Sequence, residues 1–188
     1  MQKEKGNPVQ KPYTLNRLIQ KLEEKPDESA NAAVAILVKE AQDDLKLLIV
    51  KRADVQGDPW SGDIAFPGGK RNPEDLNIYE TAKRELLEET GIDLRDIEPI
   101  GVMPMEHSIV RRQMKVQPVL FHQKESIDIQ LSYELQSYLW ASLKKLKVNK
   151  TRGNVKGRKG PIFNYEGEKV WGLTYRMLEK IIDLLDED

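Results

Sequence analysis

The chain has 188 residues, 39% hydrophobic and 32% charged, with 30 lysines and arginines against 31 aspartates and glutamates and a formal net charge of −1. That length suits one soluble globular domain with a substantial core, and the balanced charge excludes a global pull toward nucleic acid or an anionic membrane. The lack of cysteine excludes disulfides and thiolate metal sites and suits a reducing cytoplasm; with no apolar run near about eighteen residues, neither a membrane span nor a signal peptide is expected.

Residues 1–12 are rich in Lys, Gln and Pro and read as a flexible tail, leaving 13–188 as a single domain. Leu15, Leu18, Ile19 and Leu22 recur at i, i+3, i+4 and i+7 behind Thr14. This predicts a short amphipathic helix capped by Thr14 and finished before Pro26. Residues 32–38 and 45–50 are apolar, partly β-branched runs, and 40–44 supplies the turn between two paired strands. The following stretch, RADVQGDPWSGD over 52–63, is rich in turn formers. Its Trp60 suits either plugging the end of the sheet or stacking on a base.

Residues 66–94 concentrate the chemistry. Pro67-Gly68-Gly69 allows the backbone to approach an ion or phosphate with no Cβ in the way. Asn72-Pro73-Glu74-Asp75 is a second break. A helix is predicted over 79–90, with Glu85 and Glu89 roughly 40° apart on one face and Ala82 and Leu86 on the side that buries. Two carboxylates one turn apart repel unless a cation lies between them. Oxygen donors without Cys or His suit Mg²⁺, Mn²⁺ or Ca²⁺ and disfavour zinc. Gly91 ends the helix as a left-handed C-terminal residue, with Ile92 folding back on the last turn.

The run Arg84-Glu85-Leu86-Leu87-Glu88-Glu89-Thr90-Gly91-Ile92 resembles the second half of the Nudix box position for position. Upstream, counting from Gly69 leads to Asp75 where the family carries a Glu, with one residue more before Arg84. That spacing, the Phe66-Pro67-Gly68-Gly69-Lys70 lead-in, and Arg52 and Gly62 ahead of it are similar to the Nudix branch that cleaves coenzyme A, although Ala53 stands where that branch has a Ser. The resemblance implies an α/β (α+β) fold, an α/β/α sandwich around a mixed sheet, with the box at 69–92. It implies Mg²⁺ or Mn²⁺ held by Glu85, Glu88, Glu89 and a carbonyl of Gly69 or Gly68, with Arg84 orienting the glutamates. Arg52, Trp60, Phe66, Gly68 and Arg112 become candidate substrate contacts, and Asp75 a brace between loop and helix. The implied reaction is hydrolysis of a pyrophosphate bond in coenzyme A or a derivative, giving 3′,5′-ADP and 4′-phosphopantetheine. ADP-ribose, dinucleotides, nucleoside triphosphates and non-catalytic nucleotide binding are the alternatives. Many members pair as dimers, which leaves a homodimer open.

Strands are expected at 98–105 and 114–122, joined by a loop carrying Glu106, His107, Arg111 and Arg112. The two arginines suit a diphosphate or a solvated turn. LSYELQSYLW at 131–140 resembles the short helix and Trp that follow the main strands in the superfamily, with Glu134 early in it. The general base is open among Glu88, Glu106, His107 and Glu134. KKLKVNKTRGNVKGRK at 144–159 holds eight basic and no acidic residues, and reads as a flexible solvated loop or a clamp for an extra phosphate. Without interleaved aromatics it argues little for nucleic acid. Residues 170–174 lead into a last helix packed through Leu178, Ile181, Ile182 and Leu185, with Thr174 as its cap.

Overall fold

The structure, a computed structural model, describes residues 12–111 and 113–187. The expected tail therefore lies outside the described residues except for Pro12, and so does Arg112. Helix α1 (Leu15–Ile19) opens where expected, Thr14 Oγ1 accepting from the Arg17 amide. Strands β1 (Ala32–Ala41) and β2 (Asp44–Arg52) form the predicted hairpin, and Gln42 takes φ 38° in its turn. Strand β1 feeds two cores: Ala33, Ala35 and Leu37 point to one face, Ala32, Ile36 and Val38 to the other. Burial on both faces is why it reads as an unbroken apolar run.

One edge of β1 runs parallel to β7 (Lys115–His122). The other edge is shared, pairing with β4 (Gly68–Lys70) over residues 32–34 and with β2 over 38–41. Further along, β2 pairs with β3 (Ile64–Ala65), so residues 66–69 fill the wedge where β1 and β2 part. Strands β5 (Gly101–Val102) and β6 (Glu106–His107) pair with β7, and β8 (Leu135–Ser142) pairs with β2.

Helix α2 (Ile78–Thr90) covers one face of this mixed sheet, packing Ile78, Ala82 and Leu86 against Ala35, Leu37, Leu48 and Phe121. On the opposite face α1, α3 (Leu143–Val148) and α4 (Gly172–Asp186) pack Leu18, Leu146, Leu178 and Ile181 over Ile36, Leu47, Ile49 and Leu120. A second, antiparallel sheet joins β9 (Lys150–Val155), β10 (Arg158–Tyr165) and β11 (Glu168–Val170). This is the expected sandwich. Among the described residues no helix is long and apolar enough to cross a membrane.

Four local expectations are corrected. Residues 131–140 form no helix: β8 satisfies the edge of β2 from Lys46 to Arg52, which would otherwise leave backbone groups unpaired. Glu134 sits in the turn before it. Residues 144–159 are not a loop but α3, with Leu146 buried, followed by a hairpin turning at Lys156 and Gly157, both at positive φ. The strand expected at 98–105 shrinks to two residues, and Glu106 and His107 lie on a strand of their own. Thr174 is buried inside α4, whose first turn follows Trp171 with no side-chain cap.

Candidate active site

Helix α2 is fixed at both ends. The Asn77 side chain accepts from the Tyr79 and Glu80 amides, and Gly91, at φ 72°, returns its N–H to Leu87 O. With Ala82 and Leu86 fully buried, Glu85 and Glu89 lie against β4. The Gly68 amide donates to Glu89 Oε2 at 3.2 Å. A Cβ on Gly69 would come within 2.5 Å of the Glu85 carboxyl carbon and both its oxygens. The missing Cβ of Gly69 is thus the space in which the Glu85 carboxylate sits, while Gly68 lies close against β1 and turns its N–H to Glu89.

Arg84 ties the loop to the helix. Its Nε and Nη2 donate to the two oxygens of Asp75, each at 3.0 Å. Nη1 reaches Glu85 at 2.8 Å and Glu88 at 3.1 Å, and Nη2 also reaches the Lys70 carbonyl. Asp75 accepts further from Thr81 Oγ1 and the Asn72 amide. Asp75 thus links the turn after β4 to α2 through Arg84 and Thr81.

Charge is unevenly distributed among these carboxyls. The Arg84 fork holds Asp75 down to about 2. Burial, followed by the nearby Glu85 charge, pushes Glu89 up to about 8, against the Gly68 N–H and the Arg52 charge. Burial also raises Glu85. Glu88 is exposed.

Among the described residues no three acidic or His side chains converge on one point, because Glu85 and Glu88 turn to Arg84 and Glu89 turns to Gly68. The donors nevertheless fit a hard divalent cation. Two carboxyl groups stand one turn apart beside the glycine pair of β4, and burial raises the pKa of both, which a cation between them would offset. Glu85, Glu89 and a reoriented Glu88 would hold it.

Beside this cluster lies a cleft of about 490 Å³ bordered by Gly68, Gly69, Phe66, Arg52 and Trp60. Arg52 reaches Asp58 through Nη2, while its buried Nε has no hydrogen-bond partner among the described residues. Trp60 lines the cleft with the Arg111 guanidinium 4.5 Å above its ring centroid. Sequence reasoning missed Asp63, Trp171 and Arg176 in this wall; they come from segments joined only by the fold, and Trp171 Nε1 donates to Asp63 at 3.0 Å. Arg158 was signalled only as one of a run of basic residues. Of the candidate bases, Glu106 is buried and paired with Arg176 and Lys180, and His107 is exposed on β6. Glu134 is also exposed, and its charge acts on Glu89.

The NUDIX domain family model matches residues 29–160, which includes the whole cluster. The chain belongs to the Nudix family. It is 27% identical over 165 residues to the mitochondrial coenzyme A diphosphatase NUDT8 of Homo sapiens, covering 83% of this chain and 70% of that protein. It is 27% identical over 151 residues to the uncharacterized Nudix hydrolase NudL of Yersinia enterocolitica, covering 72% and 71%. The chain spans between 26% and 71% of the length of the first curated relatives it matches. The MutT protein of Methanosarcina mazei shares the fold, with a TM-score of 0.55 and 23% identity over 84% of this chain and 94% of that one.

Proposed function

We propose that this Nudix chain is a Mg²⁺- or Mn²⁺-dependent pyrophosphohydrolase acting on a nucleoside diphosphate linked to another group, with coenzyme A or a derivative as its first substrate. The observation that carries this reading is the juxtaposition of Glu85 and Glu89 on Gly68-Gly69 with a cleft lined by arginines and tryptophans. The likeness to a coenzyme A diphosphatase over most of the chain supports the choice of substrate.

Glu85, Glu88 and Glu89 would hold a divalent ion, which would supply Lewis-acid charge and lower the pKa of water. The protein's own residues do the rest. Arg84 fixes the direction of Glu85 and pairs with Glu88, which would turn from it to reach the ion. Arg52, which lines the cleft, orients the anhydride oxygens. Water attacks phosphorus, the P–O bond of the anhydride breaks, and the attacking water's proton passes to a general base. Glu134 is the candidate we favour, because it is exposed and its charge acts on Glu89, whereas Glu88 is taken by the ion and Glu106 is engaged by two cations.

Hydrolysis of coenzyme A, ADP-ribose, NADH and a nucleoside triphosphate, measured in Mg²⁺ and in Mn²⁺ with Glu89→Gln alongside, tests the reading. Metal-dependent cleavage of coenzyme A, reduced about 10³-fold in the variant, is expected. Cleavage of another compound instead keeps the site and discards the substrate. No turnover with nucleotide still bound leaves a binding module.

A further inference from the structure

Among the described residues five cationic side chains line the cleft, Arg52, Lys70, Arg111, Arg158 and Arg176, against the single acid Asp63. They are not equivalent. Arg52 reaches Asp58 and acts on Glu89, and Lys70 follows the glycine pair, so both belong to the anhydride end. Arg176 is committed to Glu106 and the His107 carbonyl. Arg111 and Arg158 have no carboxylate within ion-pair distance among the described residues, and each rests near an indole, Arg111 at 4.5 Å from the Trp60 centroid and Arg158 at 5.9 Å from that of Trp171. A guanidinium on an aromatic face is held in orientation with its donors left for a ligand.

The basic run at 144–159 narrows in the same way. Lys147 pairs with Asp186, Lys150 with Glu179 and Lys156 with Asp63. Arg158 is the member of that run that lines the cleft. Its place is fixed from below, since Lys156 at the hairpin turn donates to the carbonyls of Pro59 at 3.0 Å and Ser61 at 2.8 Å.

We propose that Arg158 and Arg111 form a second anion subsite of the cleft, which takes a phosphomonoester of the substrate lying outside the anhydride. The inference rests on the hydrolase reading for its substrate but not for its test. Such a subsite selects a nucleoside 3′,5′-bisphosphate portion over the 5′-monophosphate.

Calorimetric titration of the full chain with 3′,5′-ADP and with 5′-AMP isolates that one phosphate. The wild type should bind 3′,5′-ADP roughly 10- to 100-fold more tightly, the range for charge-assisted hydrogen bonds. Arg158→Gln should close the gap to about threefold with 5′-AMP affinity unchanged, Arg111→Gln should do likewise, and Arg158→Lys should restore part of it. Equal affinity of the wild type for both nucleotides, or an equal loss for both in Arg158→Gln, overturns the subsite. Preference for 3′,5′-ADP with no cleavage of any of the four compounds keeps the subsite and sinks the hydrolase reading; cleavage of coenzyme A without that preference does the reverse.

Discussion

At Glu89 burial and function pull in opposite directions. A carboxyl pushed up to about 8 by burial and by Glu85 has a folded-state pKa above its unfolded one. Its contribution to stability is then complete below the ordinary carboxyl range and is lost as pH rises from about 4.5 toward 8. Without divalent ions, Glu89→Gln should therefore match the wild type near pH 5 and exceed it at pH 8 by about 2–4 kcal/mol, or roughly 5–10 °C in melting temperature. Mg²⁺ should stabilise the wild type increasingly with pH and leave the variant unmoved; thermal melts across pH with and without Mg²⁺ check this. The two glycines should part company under substitution. A Cβ on Gly68 meets backbone, Ala33 O at 2.3 Å and Val34 Cα at 2.7 Å, so Gly68→Ala should cost about 3 kcal/mol in urea unfolding. On Gly69 the three nearest atoms are all at the movable end of Glu85. Gly69→Ala should fold within about 1 kcal/mol of wild type yet lose roughly 100-fold in kcat, because the carboxylate is displaced.

At the scale of elements, the Asp75–Arg84 fork joins the turn after β4 to α2. Asp75 is held down to about 2, so its contribution is present above the ordinary carboxyl range and fades as pH falls from about 4 toward 2. Asp75→Asn should lose about 1–3 kcal/mol at pH 7, with the gap to wild type shrinking below pH 4. Its kcat should fall roughly 10-fold as Arg84 loosens its hold on Glu85 and Glu88. Helix α2 was legible in the sequence because local signals agree there: apolar spacing, a breaking Asn-Pro turn and Gly91, whose left-handed φ the structure carries. Asn77 completes the cap. Strand β8 was not legible, because its outward face is largely exposed and the force that makes it a strand is the open edge of β2, some ninety residues earlier in the chain. The hairpin of β9 and β10 was hidden for a similar reason. Its lysines read as solvated, whereas Lys150 and Lys156 are tied to Glu179 and Asp63 on other elements.

Across the whole molecule, a net charge of −1 coexists with a cleft whose lining is mostly cationic, so attraction for an anionic nucleotide is local and screened by salt. The wall that carries this charge is assembled from segments almost a hundred residues apart, and Asp63 joins them. It accepts from Trp171 Nε1 at 3.0 Å and pairs with Lys156 at 2.7 Å, while Lys156 also grips the carbonyls of Pro59 and Ser61. The glutamate cluster, by contrast, is braced within residues 68–91 and does not depend on this contact. Freeing the hairpin should consequently weaken substrate binding without altering the chemistry. Lys156→Met should raise KM about 10-fold with kcat within about twofold of wild type, measured by steady-state kinetics in low salt. Adding Asp63→Asn should raise KM by less than its separate effect, since neighbours sharing one contact do not add. An equal fall in kcat would mean instead that the hairpin also supports the glutamates through the sheet.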